Sequence, residues 1–392
     1  MTSNIDCIVN NTRGEDILEE ILNHGMEGLP RAIEILYNAA MKIERSRYLG
    51  AEHYERSSDR RDQANGYKAK TLNSRVGKLQ LEVPQVRNGG FYPSFLERGL
   101  RSERALKLAL AEMYVQGVST RAVSRVIEEM CGFEVTSTEV SRAAKLLDEE
   151  FARWRTRELG EYAYLYLDAR YEKVRYAGSV VDLAVVTAIG IQESGKREVL
   201  GVSVKLSEAE IHWRGFLEDL QKRGLHGVKL IISDDHSGLK AARKAVFPSI
   251  PWQRCQFHLQ QNAQQYVPKR SMKKGVAADI RSIFNAANRQ EADRLLSINI
   301  DKYSDTAPQL SNWMETNIPE GLTIFDFPDE HRKRIRTNNV SEHLNKEIKR
   351  RTRKVAIFPN EASCLRLVTA VVMEISEAWL VGKRYLSAVD SD

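Results

Sequence analysis

The stretch at 337–354, TNNVSEHLNKEIKRRTRK, joins a helix start, an acid on a polar face and a dense run of cations. Ten Lys and Arg stand between Arg332 and Lys354, with Glu342 and Glu347 as the only acids. A carboxylate used only for packing has little need of so many cations. A site that holds a metal ion beside a phosphate backbone needs both kinds of charge. Read as a helix, the stretch starts with Asn339 as its cap and Glu342 at capping-box spacing. Glu342, Asn345, Lys346 and Lys349 recur at i, i+3, i+4 and i+7 and share one face, while Leu344, Ile348 and Arg351 share another. Glu347 lies five positions from Glu342, well round the helix, and is the weaker candidate. By itself the stretch also fits a capped surface helix with a solvated charge run.

Two more carboxylates follow short apolar strands. Residues 162–169, YAYLYLDA, alternate, with Tyr164, Tyr166 and Asp168 on one face and Leu165, Leu167 and Ala169 on the other. Residues 229–233, KLIIS, read as a buried strand running into Asp234, Asp235 and His236. Asp168 and Asp234 are therefore expected at the C-terminal ends of two buried strands, where open α/β sheets place their chemistry. Asp235 is the rival of Asp234, but alternation sends the two to opposite faces, so one serves. With Glu342 from a later helix, the three carboxylates suit two Mg²⁺ ions, with Mn²⁺ as a substitute. Hard oxygen donors favour these ions over zinc.

The elements that must position these acids are legible around them. Apolar runs at 180–191 and 198–206 read as two further strands joined by a hairpin, and 252–257 as a short one. Residues 212–223 and 238–247 read as amphipathic helices. Together they describe a mixed α/β sheet. Helical periods then fill 259–327, an all-helical insertion between Asp234 and Glu342, and a long apolar helix at 361–379 closes the core. Upstream, 14–49 reads as helical, 56–66 as a polar linker and 78–84, KLQLEVP, as a half-exposed strand flanked by Lys68, Lys70, Arg75 and Arg87. Residues 103–150 read as a helix-turn-helix region. Gly117 breaks its first helix, Ser119 caps the second, Gly132 stops it, and Thr136 with Glu139 opens the third as a capping box. Ser119, Thr120 and Arg121 at one helix start, and Ser141, Arg142 and Lys145 on an outer face, are candidate groove contacts. Many helical hairpins of this shape never touch DNA.

At 392 residues, with 42% hydrophobic content and a formal charge of +6, the chain suits two or three globular domains and a polyanionic partner. Cys7, Cys131, Cys255 and Cys364 are scattered and form neither a disulfide framework nor paired zinc motifs. There is no leader-like N-terminus and no apolar run long enough for a membrane span. A cytoplasmic protein is expected, with no membrane contact and no small-molecule substrate.

Several blocks together resemble the Mutator-type bacterial transposases of the IS256 family. They are GYKAKTLNSRVGKLQLEVPQVR with FYPSFLE, YVQGVSTRAVSRV, LYLDARYEKVR, LIISDDHSGLKAA, WQRCQFHLQQN and RTNNVSEHLNKEIKRRTRKVAIFPNEASCLRLV. The resemblance runs over nearly the whole chain. It implies a DDE recombinase with an RNase H-like core interrupted by a helical insertion, acting in a bacterial cytoplasm in association with the nucleoid. The family's acids fall on Asp168, Asp234 and Glu342, the three reached above. Its Cys-x-x-His element falls on Cys255 and His258, for which a structural or substrate-positioning role is expected rather than zinc. Asp235 stands where the family has a small residue, and Gln261 where it often has arginine.

The expected plan is an N-terminal helical and small β region (1–100), a helix-turn-helix domain (101–150), a catalytic core in two parts (151–258 and 331–392) and the insertion (259–330). Such an enzyme would bind terminal inverted repeats and target as double-stranded DNA. It would act as a dimer or larger, since two ends must meet. Lys346, Lys349, Arg350, Arg351 and Arg353, with Asn345, would hold the DNA backbone. A nuclease that cuts without joining, or a DNA-binding regulator descended from a transposase, are the alternatives.

Overall fold

The computed structural model describes residues 13–386 except 53, 54, 56, 57, 59, 97–101, 116, 117 and 119. Ser119, Gly117 and Cys7 lie outside the described residues. The chain falls into two compact units that divide between Leu147 and Asp148.

In the first unit, helices Arg13–His24 (α1) and Leu29–Leu49 (α2) precede a hairpin of Ala64–Ser74 (β1) and Gly77–Val86 (β2). The alternation in KLQLEVP buries Leu79, Leu81 and Val83 against Met41 of α2. The strand expected at 78–84 is longer and pairs antiparallel with β1, from Ala64↔Val86 to Ser74↔Gly77. The polar β1 carried no apolar period to announce it. Helices Arg104–Val115 (α3), Thr120–Cys131 (α4) and Ser137–Ala144 (α5) close round Leu110, Val123, Ile127 and Val140. Gly132, at φ +68°, ends α4 in the left-handed conformation that glycine adopts without strain. The capping box at α5 is complete: Glu139 N–H donates to Thr136 Oγ1 at 3.2 Å, and Thr136 N–H donates to Glu139 Oε2 at 2.8 Å.

The second unit starts with helix Asp148–Arg155 (α6), which lies whole within it rather than dividing at 150. Strands Tyr164–Tyr176 (β3), Ser179–Ile191 (β4) and Arg197–Lys205 (β5) form an antiparallel meander. Helix Glu210–Lys222 (α7), strand Leu230–Ser233 (β6), helix Ser237–Val246 (α8) and strand Trp252–Arg254 (β7) follow. The five strands stand in the order β5-β4-β3-β6-β7, with β6 and β7 parallel to β3. This is a mixed sheet. One face packs Leu165, Leu167 and Ile231 against Trp213, Phe216 and Leu217 of α7.

The other face buries Tyr164, Tyr166 and Ile232 under the later helices. These are Gln256–Ala263 (α9), Lys273–Phe284 (α10), Arg289–Ser304 (α11), Pro308–Asn317 (α12), Asp329–Ile335 (α13), Asn339–Thr352 (α14) and Glu361–Val381 (α15). The strand expected at 252–257 stops at Arg254, because the chain turns into α9 at Cys255. Asn360 caps α15 by accepting from Ser363 N–H at 2.9 Å. Among the described residues no helix is long and apolar enough to cross a membrane.

Candidate active site

Strand register brings the first two acids together. Tyr166 pairs with Ile232 in the parallel β3–β6 ladder, so Asp168 comes level with Asp234, one step past the end of β6. Asp168 is not at the end of its own strand, as expected, but at its fifth residue. What ends there is its parallel neighbour, and this opens the space beside the carboxylate. In β7, Arg254 pairs with Ser233, and Cys255 N–H donates to Ser233 O at 2.9 Å, so Cys255 follows beside Asp234. His258 comes from the first turn of α9, with Nδ1 2.5 Å from Asp234 Oδ1.

Electrostatics couple the group. Burial, and next the charge of Asp234, push Asp168 up to about 7. The Ala169 N–H on Asp168 Oδ1 (2.9 Å) and nearby His258 oppose the rise, and Glu342 adds to it. Glu342 is thus within electrostatic reach of Asp168, from the first turn of α14. The Asp234 contact, then the Cys255 thiol, push His258 up to about 10 against its own burial.

Helix α14 starts otherwise than expected. Asn339 is its first helical residue, Asn338 precedes it, and neither side chain caps it. Asn338 is fully buried. Its N–H donates to Cys255 Sγ at 3.3 Å and its Nδ2 to Leu167 O at 3.5 Å. Cys255 thereby ties the end of β7 to the start of the helix that carries Glu342. Leu344 and Ile348 are fully buried; truncating either to alanine costs about 2–5 kcal/mol.

Two residues expected on DNA are engaged elsewhere. Asn345 is half-buried, and its Nδ2 donates to Asp168 Oδ2 at 2.8 Å. Arg351 turns toward α15 and pairs with Glu374 at 3.0 Å, its side chain 11% exposed. Arg350 pairs with Glu347 on the surface at 2.8 Å, and Lys346, Lys349 and Arg353 are exposed. In the first unit, Arg121, Ser141, Arg142 and Lys145 are exposed and Thr120 is half-buried.

The residues fit hard divalent cations. Asp234 Oδ1 is buried, with His258 Nδ1 beside it at 2.5 Å. Burial and the charge of Asp234 raise Asp168, and a bound cation would offset both. Asp168, Asp234 and Glu342 do not draw together as tightly as Asp234, Cys255 and His258, whose donor atoms lie within 4.8 Å of one another. Two ions about 3.5–4 Å apart spread their ligands more widely than one ion does.

Asp235 faces away from this cluster. It pairs with Lys240 and Arg254, each at 3.0 Å, and Glu320 pairs with the same two cations at 2.9 Å. Arg170, Glu172 and Thr352 also pack polar groups between β3 and α14. The sequence reading passed over them, since they are brought together by contacts between elements distant in sequence.

Comparison with known proteins gives a family. Residues 10–382 match the family described as "Transposase, Mutator family". The transposase for insertion sequence element IS406 of Burkholderia multivorans is 57% identical over 369 residues, covering 94% of this chain and 95% of that protein. The transposase for element ISRM5 of Rhizobium meliloti is 42% identical, covering 95% and 94%. The transposase for element IS256 in transposon Tn4001 of Staphylococcus aureus is 37% identical, covering 89% and 90%.

Proposed function

The chain belongs to the Mutator family of transposases, and on that premise we propose that it cuts and joins DNA at the ends of an insertion sequence through a DDE site of Asp168, Asp234 and Glu342. The observation that carries the proposal is the convergence of these acids. Asp168 and Asp234 come level across the β3–β6 register, and Glu342 on α14 is close enough to raise Asp168. On this reading the five-stranded sheet and its flanking helices are an RNase H-like core, and the helices of residues 259–330 are its insertion. The three helices α3–α5 are a helix-turn-helix that reads terminal inverted repeats, with Arg121, Ser141, Arg142 and Lys145 among its contacts.

The three carboxylates would hold Mg²⁺, or Mn²⁺ in its place. When bound, such ions polarise the phosphodiester and lower the pKa of the attacking oxygen's proton. The chain's own groups do the rest. Asn345 fixes the rotamer of Asp168 through its 2.8 Å hydrogen bond. His258 orients Asp234. Lys346 and Lys349, exposed on the helix of Glu342, and Arg353 just past its end hold the backbone phosphates so that attack is in line. Water attacks the phosphorus at the element's end and expels the 3′-oxygen as a free 3′-hydroxyl, leaving a 5′-phosphate. That hydroxyl then attacks a phosphorus of the target strand, forming a new phosphodiester and expelling the target's 3′-oxygen as a hydroxyl. Two ends require at least a dimer on DNA.

The test is a cleavage and joining assay in Mg²⁺ on a duplex carrying the element's ends, with Asp234→Ala alongside. Nicked and joined products that vanish in Asp234→Ala are expected. Cutting without joining would instead mark a nuclease. Binding with neither reaction in any metal would mark a regulator.

A further inference from the structure

Asp168, Arg170 and Glu172 alternate along β3 and share the face that meets α14. Arg170 and Glu172 are nearly enclosed, their side chains 14% and 10% exposed. Arg170 spends its two terminal nitrogens on different elements. Nη1 donates to the main-chain oxygen of Asn345 in α14, and Nη2 pairs with Glu172 Oε1 at 2.7 Å. Thr352, at the end of α14, donates from Oγ1 to the same Glu172 oxygen at 3.0 Å. Asn345 reaches Asp168 from the same turn that Arg170 holds.

These contacts lock a strand to a helix at two levels. Asp168 to Glu172 spans about 13 Å along the strand. Asn345 to Thr352 spans about 10 Å along the helix. With both levels held, α14 can neither slide along β3 nor turn about its axis without breaking the set. Glu342 lies one turn before Asn345. A rotation by one residue, about 100°, would carry it out of reach of Asp168.

We infer that Arg170, through Asn345 and Glu172, is a positioning residue for the cleavage reaction: it sets the register of α14 on β3 and thereby holds Glu342 to Asp168. This rests on the reading of Asp168, Asp234 and Glu342 as the metal-holding acids. A planar guanidinium serves two acceptors in fixed directions, which an ammonium does not. A pair that merely stabilised the fold would behave otherwise, because a buried ion pair exchanged for apolar side chains of similar volume is often tolerated.

The experiment compares full-length wild type with the double variant Arg170→Met/Glu172→Met, with Arg170→Lys and with Asp234→Ala. Four quantities are measured: melting temperature, affinity for a duplex carrying the element's end, binding of Mn²⁺ alone by electron paramagnetic resonance, and cleavage rate in Mg²⁺. The expected result is a DNA affinity within about twofold of wild type, with Mn²⁺ affinity and cleavage rate each down about tenfold or more in the double variant and in Arg170→Lys. A double variant that melts like wild type and keeps both quantities within about twofold overturns the inference. If the double variant melts well below wild type, Arg170→Lys decides on the same readouts, and wild-type values there overturn it. Cleavage by Asp234→Ala would bring down the three-acid reading and this inference together. Its loss beside an unaffected double variant would bring down this inference alone.

Discussion

Replacing Arg254 by methionine removes a guanidinium that is 3% exposed and serves three acceptors. It reaches Asp235 Oδ2 at 3.0 Å, Glu320 Oε2 at 2.9 Å and Asn317 Oδ1 at 2.8 Å. These tie β7 to the loop after β6 and to the end of the helical block. Breaking a buried pair by removing one partner costs about 3–5 kcal/mol, since it strands the other charge. Lys240 still reaches both carboxylates, at 3.0 and 2.9 Å. The lower end, about 3 kcal/mol, is therefore expected. For a unit of this size that lowers Tm by about 6–12 °C. Asp235 is more exposed, at 31%, and its loss leaves Arg254 with Glu320 and Asn317. Asp235→Ala should cost at most about 1 kcal/mol. Urea unfolding of both variants, followed by the fluorescence of the tryptophans, measures the two values. A cost below about 1 kcal/mol for Arg254→Met, or equal costs for the two variants, would refute the view that this guanidinium pins the sheet edge beside the site.

Lys349→Ala should lower the slope of log affinity against log salt by about one, because its side chain is exposed on the helix of Glu342. Arg351→Ala should leave that slope unchanged, since its guanidinium pairs with Glu374; filter binding across a salt series checks both. Thr136→Ala removes the α5 capping box and should destabilise the α3–α5 bundle by about 1 kcal/mol, read from thermal melts by circular dichroism. Cys255→Ala removes the acceptor for the Asn338 N–H and should reduce cleavage more than Cys255→Ser, which retains one; equal effects in the cleavage assay would dissociate the thiol from the helix start.

Much of the sheet was legible because its strands obey simple periods. The alternation in YAYLYLDA put Tyr164, Tyr166 and Asp168 on one face, and the core divides as that alternation requires. The apolar stripe of Trp213, Phe216, Leu217 and Leu220 marked the face of α7. What escaped was decided by contacts distant in sequence. β3 runs on to Tyr176 through ARYEKVRY because it stays paired with β4 to the hairpin, while Arg170 and Glu172 find polar partners on α14, which no local pattern declares. Asn345 reads as a surface amide until the fold brings Asp168 beneath it. Arg351 reads as a DNA contact until Glu374 arrives from α15. Asn339 had the spacing of a cap, but burial of Asn338 against Leu167 and Cys255 sets the helix start.

The most direct test of the assignment compares Glu342→Ala with Glu347→Ala in Mg²⁺ cleavage and joining on the element's ends, with end binding measured in parallel. Glu342 lies within electrostatic reach of Asp168, whereas Glu347 pairs with Arg350 on the surface. The account predicts that Glu342→Ala binds ends, yet neither cuts nor joins, while Glu347→Ala does both. Cleavage by Glu342→Ala together with its loss in Glu347→Ala would contradict it.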